Sequence, residues 1–202
     1  MLIGVVGFIG SGKGTVGEIL TDHGFVKDSF ARPLKDAVSI MFGWPRELLE
    51  GDTELSRSWR EEPDVFWSEK FGRPFSPREA LQLMGTEAGR ETFHPDIWVI
   101  SLLNRAKGKD VVVTDVRFKN EIDYIQKNEG IVIRVKRGED PEWFDFLSSE
   151  TDEFYREQIM KGRSVHRSEW DWVGCDFDYV IENDGTVQQL RKKVENVLQS
   201  VR

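Results

Sequence analysis

Cysteine is almost absent. Cys175 stands alone among 202 residues, so no internal disulfide can form and no cysteine cluster has metal-ligand spacing. A lone thiol fits a reducing compartment, and a cytoplasmic location is the expectation. Basic charge is in deficit: Lys plus Arg total 28 against 36 Asp plus Glu, a net charge of −8. A general nucleic-acid binder rests its affinity on a basic surface, so no nucleic-acid partner is expected. A small phosphorylated ligand stays open, because a few arginines suffice to hold one. Long apolar runs are missing too. Nothing approaches the roughly 20 residues that span a bilayer, and no membrane partner is expected. The opening MLIGVVGFIG is apolar but has no basic start and no small-residue cleavage site. It reads as a buried strand rather than a signal peptide. Internal repeats and low-complexity tracts are lacking as well. His166-Arg167-Ser168-Glu169 has no nucleophile elbow beside it, which argues against a Ser/His/Asp hydrolase.

The composition that remains is that of a globular protein, 39% hydrophobic and 32% charged. The length suits one domain with room for inserted lobes. Leu2 to Val6 is a short apolar run of buried-strand type. Thr15 to His23 carries Val16, Ile19 and Leu20 at helical spacing. Phe25 to Phe30 reads as a second strand, and Pro33 opens a helix bearing Leu34, Val38, Met41 and Phe42. Ser76-Pro77-Arg78-Glu79 has the cap-then-proline form of a helix start, with Glu79 placed for a capping box. Residues 95–106 predict another helix. Asp110 to Asp115 is the best central strand, with a helix through Ile122 and Ile125 after it. Ile131 to Val135 and Tyr179 to Ile181 complete the strands. Val187, Leu190, Val194 and Leu198 mark a terminal amphipathic helix.

Periodicity fades over about 44–76 and again over 138–172. Both stretches read as insertions, the first as a mobile lobe rather than a core element. Trp59, Trp67, Trp170 and Trp172 lie in these charged segments, placed to line a pocket or to anchor a loop. Strands alternating with helices predict an α/β fold with a parallel sheet flanked by helices, a single domain over 1–202. Ligands of such sheets sit beyond the carboxyl ends of the strands. Gly7 to Gly14, Asp115 to Arg117 and Asn183 to Gly185 all follow strands and are expected on one rim.

The strongest signal is Gly7-Phe8-Ile9-Gly10-Ser11-Gly12-Lys13-Gly14-Thr15, a G-x-x-x-x-G-K frame between strand and helix. Glycines let the backbone curl so that successive N–H groups face one anion, and the helix N-terminus adds positive potential. Lys13 supplies a cation for the β- and γ-phosphates of a triphosphate. The hydroxyl usual after the lysine is displaced: Gly14 stands there, and Thr15 one residue later. Thr15 is therefore assigned to phosphate, and Mg²⁺ to phosphates and water, with no protein metal ligand expected.

On the acceptor side, Asp115 can organise metal-bound water or position an acceptor, and Arg117 can clamp a phosphate through its fork. Taken alone, that pair reads as a strand-end salt bridge with helix N-terminal charges; beside a phosphate loop on the same rim, the functional reading is favoured. Lys35, at the start of the Pro33 helix, is placed to face a substrate phosphate. Gly85 and Thr86 are placed either to approach a base or sugar or simply to break a helix. Trp98 suits a stacked base and a core position about equally. Asn183 is weighed evenly between turn chemistry and reading a base edge. Arg57, Arg60 and Arg73 lie in the first insertion; Arg134, Arg137, Arg163 and Arg167 lie in or near the second. Clamps that close over phosphates are expected among them.

These segments resemble the bacteriophage deoxynucleoside monophosphate kinases. The matching stretches are GFIGSGKGT at 7–15, FARPLKDA at 30–37, LQLMGTEAGRETFHPDIWV at 81–99, VVVTDVRFKNEIDYIQKNEGIVIRVKRG at 111–138, HRSE at 166–169 and DFDYVIENDGT at 176–186. The resemblance implies a nucleoside-monophosphate-kinase-like P-loop fold, with 44–76 as acceptor-binding lobe and 138–172 as lid. It implies ATP and Mg²⁺ as cofactors, and transfer of the γ-phosphoryl group to a deoxynucleoside monophosphate. Gly10, Gly12, Lys13, Gly14 and Thr15 would hold ATP. Leu34, Lys35, Gly85, Thr86, Trp98, Asp115, Arg117 and Glu121 would meet the acceptor. A phosphomevalonate-kinase-like enzyme shares several of these motifs and is the alternative, and a non-catalytic ATP-binding module is a third reading. The 81–99 segment favours the nucleotide kinase. An isologous homodimer is the default oligomer.

Overall fold

The computed structural model describes Met1–Val201. In chain order the elements are β1 (Leu2–Val6), α1 (Lys13–Asp22), β2 (Val26–Asp28), α2 (Arg32–Phe42), a 3₁₀ turn (Arg46–Leu49), α3 (Glu54–Glu61), α4 (Val65–Phe71), α5 (Pro77–Leu83), a π-helical stretch (Met84–Phe93), α6 (Ile97–Ala106), β3 (Val111–Val113), α7 (Lys119–Lys127), β4 (Ile131–Lys136), α8 (Phe144–Ser149), α9 (Glu153–Gly162), α10 (Arg167–Trp170), β5 (Tyr179–Glu182) and α11 (Val187–Val201). The chain forms two compact units. One comprises Met1–Ser29 and the chain from Ala106 onward; the other is Phe30–Arg105.

The first unit holds a five-stranded sheet in the order β2-β3-β1-β4-β5. Every pairing is parallel, with Ile3 opposite both Val112 and Ile131. All carboxyl ends therefore share one rim, and the loop after β1 leaves from the centre of the sheet, where connections diverge to either side. β1 and β3 are buried along their whole length, as expected of parallel strands covered on both faces. One core joins Ile3, Val5 and Ile133 to Val16 and Leu20 of α1 and to Leu190, Val194 and Leu198 of α11. α7 covers the opposite face. It approaches so closely that a Cβ on Gly4 would lie 2.6 Å from Ile125 Cδ1.

The expected strands and helices are present with small shifts of boundary. The stretch over 138–172 folds into α8, α9 and α10, and its tryptophans are anchors, Trp170 and Trp172 each 2% exposed.

The second unit corrects one expectation: 44–76 does contribute core. Trp44, Leu49 and Phe75 are buried with Val38 and Ala80. Phe42 stacks on Trp44 at 4.6 Å, and Trp67 and Phe75 pack around them. The helices here are too short for a periodic stripe, so large aromatic rings bury the area instead. Trp67 Nε1 donates to Phe42 O and Trp44 Nε1 to Asp64 Oδ2, which satisfies the buried indole of Trp44 and the half-buried one of Trp67. α5 begins as expected, with Ser76 Oγ accepting from Glu79 N–H. The Glu79 carboxylate pairs with Arg73 instead of closing a capping box. Phe75→Ala should cost about 3–5 kcal/mol of stability, measured by urea denaturation followed through tryptophan emission. A loss below ~1 kcal/mol would show that the aromatic cluster does not hold this unit together.

Candidate active site

After β1 the backbone must reverse within a few residues. Gly7, Gly10 and Gly12 do so with φ of 150°, 79° and 102°, values that L side chains rarely adopt. Ser11 N–H closes the curl onto Phe8 O at 3.2 Å, and Val16 N–H begins α1 by donating to Gly12 O. An added Cβ at Gly10 or Gly14 would meet nothing within 4 Å. The loop thus presents an open cradle of backbone at the start of α1, the geometry that phosphate oxygens need.

Asn183, after β5, braces this curl. Its Nδ2 donates to Ser11 O at 2.9 Å, and a Cβ at Gly12 would lie 2.3 Å from that same nitrogen. The structure therefore gives its amide a loop-bracing contact. From the other side Phe8 is packed by rings: Trp172 at 4.8 Å, Trp143 at 5.6 Å and Phe144 at 6.0 Å. Arg134 lies over the Phe144 ring at 4.2 Å and pairs with Asp140 at 2.5 Å. That insertion arginine is committed to the fold.

Lys13 Nζ donates to Gly7 O at 2.7 Å and Phe8 O at 2.8 Å. Burial, then the Arg117 charge, lower its pKa to about 8, while Glu169 pulls it upward. Lys13, Arg117 and Glu169 therefore share one electrostatic neighbourhood. Arg117 Nη1 meets Glu169 Oε1 at 2.9 Å and lies 3.5 Å from Ser168 Oγ. Glu121, expected at the acceptor, is buried and caps α7: its Oε2 accepts from Arg117 N–H at 2.7 Å and Phe118 N–H at 3.0 Å. It fixes the backbone of Arg117. Asp115 is half-buried at the end of β3, and Thr15 is half-buried in the first turn of α1.

Arg167 is tied to Asp171 and Glu153. Cys175 is half-buried, and burial pushes its thiol up to about 11, so it is no thiolate nucleophile at neutral pH.

In the second unit, Leu34, Gly85 and Trp98 come together. A Cβ on Gly85 would sit 3.4 Å from Leu34 Cδ2, and Trp98 Nε1 donates to Gly85 O at 2.9 Å. The helix neither ends nor breaks at Gly85; it widens into a π-helix through Phe93. Trp98 packs against this stretch at Gly89, where any Cβ would fall 2.6 Å from its ring. Such π segments are frequent at functional sites. Thr86 is exposed on this stretch. Lys35 pairs with Glu50 at 2.6 Å, and Arg46 reaches the same carboxylate at 2.6 Å. Burial alone would raise the Glu50 carboxyl, but those two cations hold it below its usual value. Arg60 lies against Gly51, where a Cβ would be 1.9 Å from Nη2. Burial and then Arg78 lower its pKa, and its buried Nε has no hydrogen-bond partner.

Sequence reasoning gave no role to Glu169, Glu50 or Phe8. HRSE and the phosphate-loop pattern name two of these residues, but neither pattern says what each one meets.

Similarity to known proteins follows the same motifs. No family model matches the chain. It is 36% identical over 152 residues to a protein of Acanthamoeba polyphaga mimivirus named as a deoxynucleotide monophosphate kinase, covering 68% of this chain and 74% of that one. It is 29% identical over 183 residues to the deoxynucleoside-5'-monophosphate kinase of Escherichia phage T5, covering 63% and 72%. Among solved structures, TT1252 from Thermus thermophilus aligns over 100% of this chain and 98% of its own, with a TM-score of 0.49 and 20% identity. Dephospho-CoA kinase from Campylobacter jejuni aligns over 99% and 96%, with a TM-score of 0.46 and 17% identity.

The loop geometry separates two glycines. Gly12→Ala places a side chain at φ 102° and against Asn183, and should lower the melting temperature by at least ~3 °C. Gly14→Ala enters open space and should leave it within ~2 °C or raise it slightly. Equal losses in thermal unfolding would contradict this account of the loop.

Proposed function

Since this chain belongs to the deoxynucleotide monophosphate kinase family, we propose that it transfers the γ-phosphoryl group of ATP to a deoxynucleoside monophosphate, giving the deoxynucleoside diphosphate and ADP. The observation that carries this reading is the open glycine cradle with Lys13 and Arg117 converging beside it. The cradle suits a polyphosphate. A second cation, Arg117, in the loop that follows the neighbouring strand β3 suits the phosphate that attacks or leaves.

In this reading Gly10, Gly12, Gly14 and Thr15 hold ATP phosphates through backbone N–H groups and a hydroxyl. Lys13 leaves the carbonyls of Gly7 and Phe8 to follow the transferred charge. Arg117 and Lys35 orient the acceptor phosphate, and Asp115 positions it or the metal-bound water. Leu34, Gly85, Thr86 and Trp98 shape the acceptor's base and sugar site, and Glu121 acts through the Arg117 backbone. The segment at 44–76 is the acceptor-binding lobe and that at 138–172 the lid. In this reading Mg²⁺ would be held mainly through phosphates and water, and would neutralise charge in transfer. The acceptor phosphate is already anionic at neutral pH, so no strong general base is needed. In-line positioning, charge neutralisation and exclusion of water supply the rate.

A coupled ADP-release assay with ATP, Mg²⁺ and each of the common deoxynucleoside monophosphates tests the proposal. Turnover with one or more of them is expected, and Lys13→Ala should reduce kcat/KM by at least ~100-fold. Turnover with phosphomevalonate alone, or none with any acceptor, would overturn it.

The lysine also sets a pH dependence. Its cation, needed for the phosphates, is lost as pH rises through about 8. The alkaline limb of kcat/KM for ATP should therefore fall near pH 8, since that parameter reports the free enzyme. Bound phosphate restores the charge, so the limb in kcat should lie higher. For stability the sign is opposite. Between about 8 and the ordinary lysine value of 10.5 the unfolded chain binds more protons, so Lys13's destabilising contribution is relieved as pH rises. Coincident limbs in kcat and kcat/KM would show that Lys13 does not meet phosphate.

A further inference from the structure

Arg117 and Lys13 are two cations held in each other's field; Glu169 pairs directly with Arg117 at 2.9 Å, and its charge also acts on Lys13 without a direct contact. We propose that Glu169 is the resident counter-ion of this pair, a carboxylate that nucleotide phosphate must displace in order to bind. This rests on the reading of the loop as a nucleotide phosphate site.

The placement of Glu169 is built by the fold. α10 is locked to the start of α7 by Asp171, whose Oδ2 accepts from Lys119 N–H at 2.8 Å. Its Oδ1 accepts from Arg167 Nε at 2.7 Å. The buried Trp170 and Trp172 seat the same turn. At the other end of the contact, Glu121 pins the Arg117 backbone. Both partners are thus delivered to one point by separately fixed elements, although the pair itself stays open to solvent, Arg117 being 45% and Glu169 27% exposed. That combination suits exchange. A buried pair would be too costly to break, whereas an accessible one yields to a ligand of higher charge.

Electrostatics give the carboxylate a task. Without phosphate, two cations beside a half-buried loop repel each other. A single negative charge relieves this, and a phosphate group of greater charge takes over the same guanidinium when it arrives. A surface salt bridge with no such role would leave anion affinity unchanged when removed. One that merely held Arg117 in a productive pose would lower affinity when removed. A place-holder, by contrast, competes with the ligand, so its removal raises affinity.

The test measures dissociation constants for ADP and for inorganic pyrophosphate, without metal, by calorimetry on the full chain. Glu169→Gln should bind both about 3- to 10-fold more tightly than wild type, the scale of one exposed charge pair. The gain should shrink to below ~2-fold in an Arg117→Ala background, because the two changes act through one contact. Glu169→Asp keeps the charge and should stay within ~2-fold of wild type. Unchanged or weaker binding in Glu169→Gln overturns the inference, as does equal tightening in Glu169→Asp, which would point to shape rather than charge. Should Glu169→Gln fail to fold, the Asp171-locked turn needs that carboxylate structurally and the place-holder role falls. Failure of the wild type to bind either ligand would instead overturn the nucleotide-site reading.

Discussion

A backbone that turns back on itself immediately after the central strand sets the terms for the rest of this protein. Because β1 lies in the middle of an all-parallel sheet, its carboxyl end opens onto the rim where β3 and β5 also end. The chain can reverse there only through residues that tolerate left-handed φ, and Gly7, Gly10 and Gly12 supply them. A curl of this kind has few internal hydrogen bonds of its own, so its shape depends on what braces it. Asn183 reaches in from the end of β5 to hold Ser11 O, and three rings enclose Phe8. A phosphate site gains most from donors that are already aimed before the ligand arrives.

Charge is the second constraint. The chain is acidic overall, with a net charge of −8, yet its phosphate rim gathers cations. The two facts are compatible because screening limits each field to about 8 Å at physiological salt. The local balance is what matters, and in both units it is struck by one carboxylate against two cations. Glu169 pairs with Arg117 and acts on Lys13 through its charge; Glu50 pairs with Lys35 and Arg46. In each case a cation assigned to phosphate chemistry already has an anion on it.

Much of this was legible in the sequence where the signal is local. The phosphate loop, the β-branched strands and the proline-led starts of α2 and α5 depend on residues within one or two turns of each other, and the chain announces them. What was not legible depends on distant partners. Gly85 looks like a helix breaker, but the helix continues as a π-helix packed at Gly89 against the Trp98 ring, a contact that spacing alone does not reveal. The aromatic residues of 44–76 lack periodicity because Trp44 and Phe75 lie between helices and Trp59 and Trp67 sit on short ones, so a real core read as an insertion without one. The family resemblance assigns Glu121 to the acceptor; its carboxylate turns inward to cap α7. Glu169 lies 52 residues from Arg117, and no periodicity links them.

These contacts also bear on which parts of the 138–172 segment can move independently of the rim. Its first turns are held by Asp140 on Arg134 and by Trp143 and Phe144 against Phe8. Its last turn is held by Asp171 on Lys119 N–H and by the buried Trp172. Between them α9 presents Phe154 and Tyr155 to solvent, 71% and 50% exposed, although Met160 is buried and Arg156 Nη2 donates to Val173 O at 2.7 Å. The stretch is thus fixed at both ends and tied between them through Arg156 and through Glu153 on Arg167. At the rim, by contrast, the pair of Arg117 and Glu169 is solvent-accessible, so its exchange costs little, and a ligand of higher charge can select among the charged groups there.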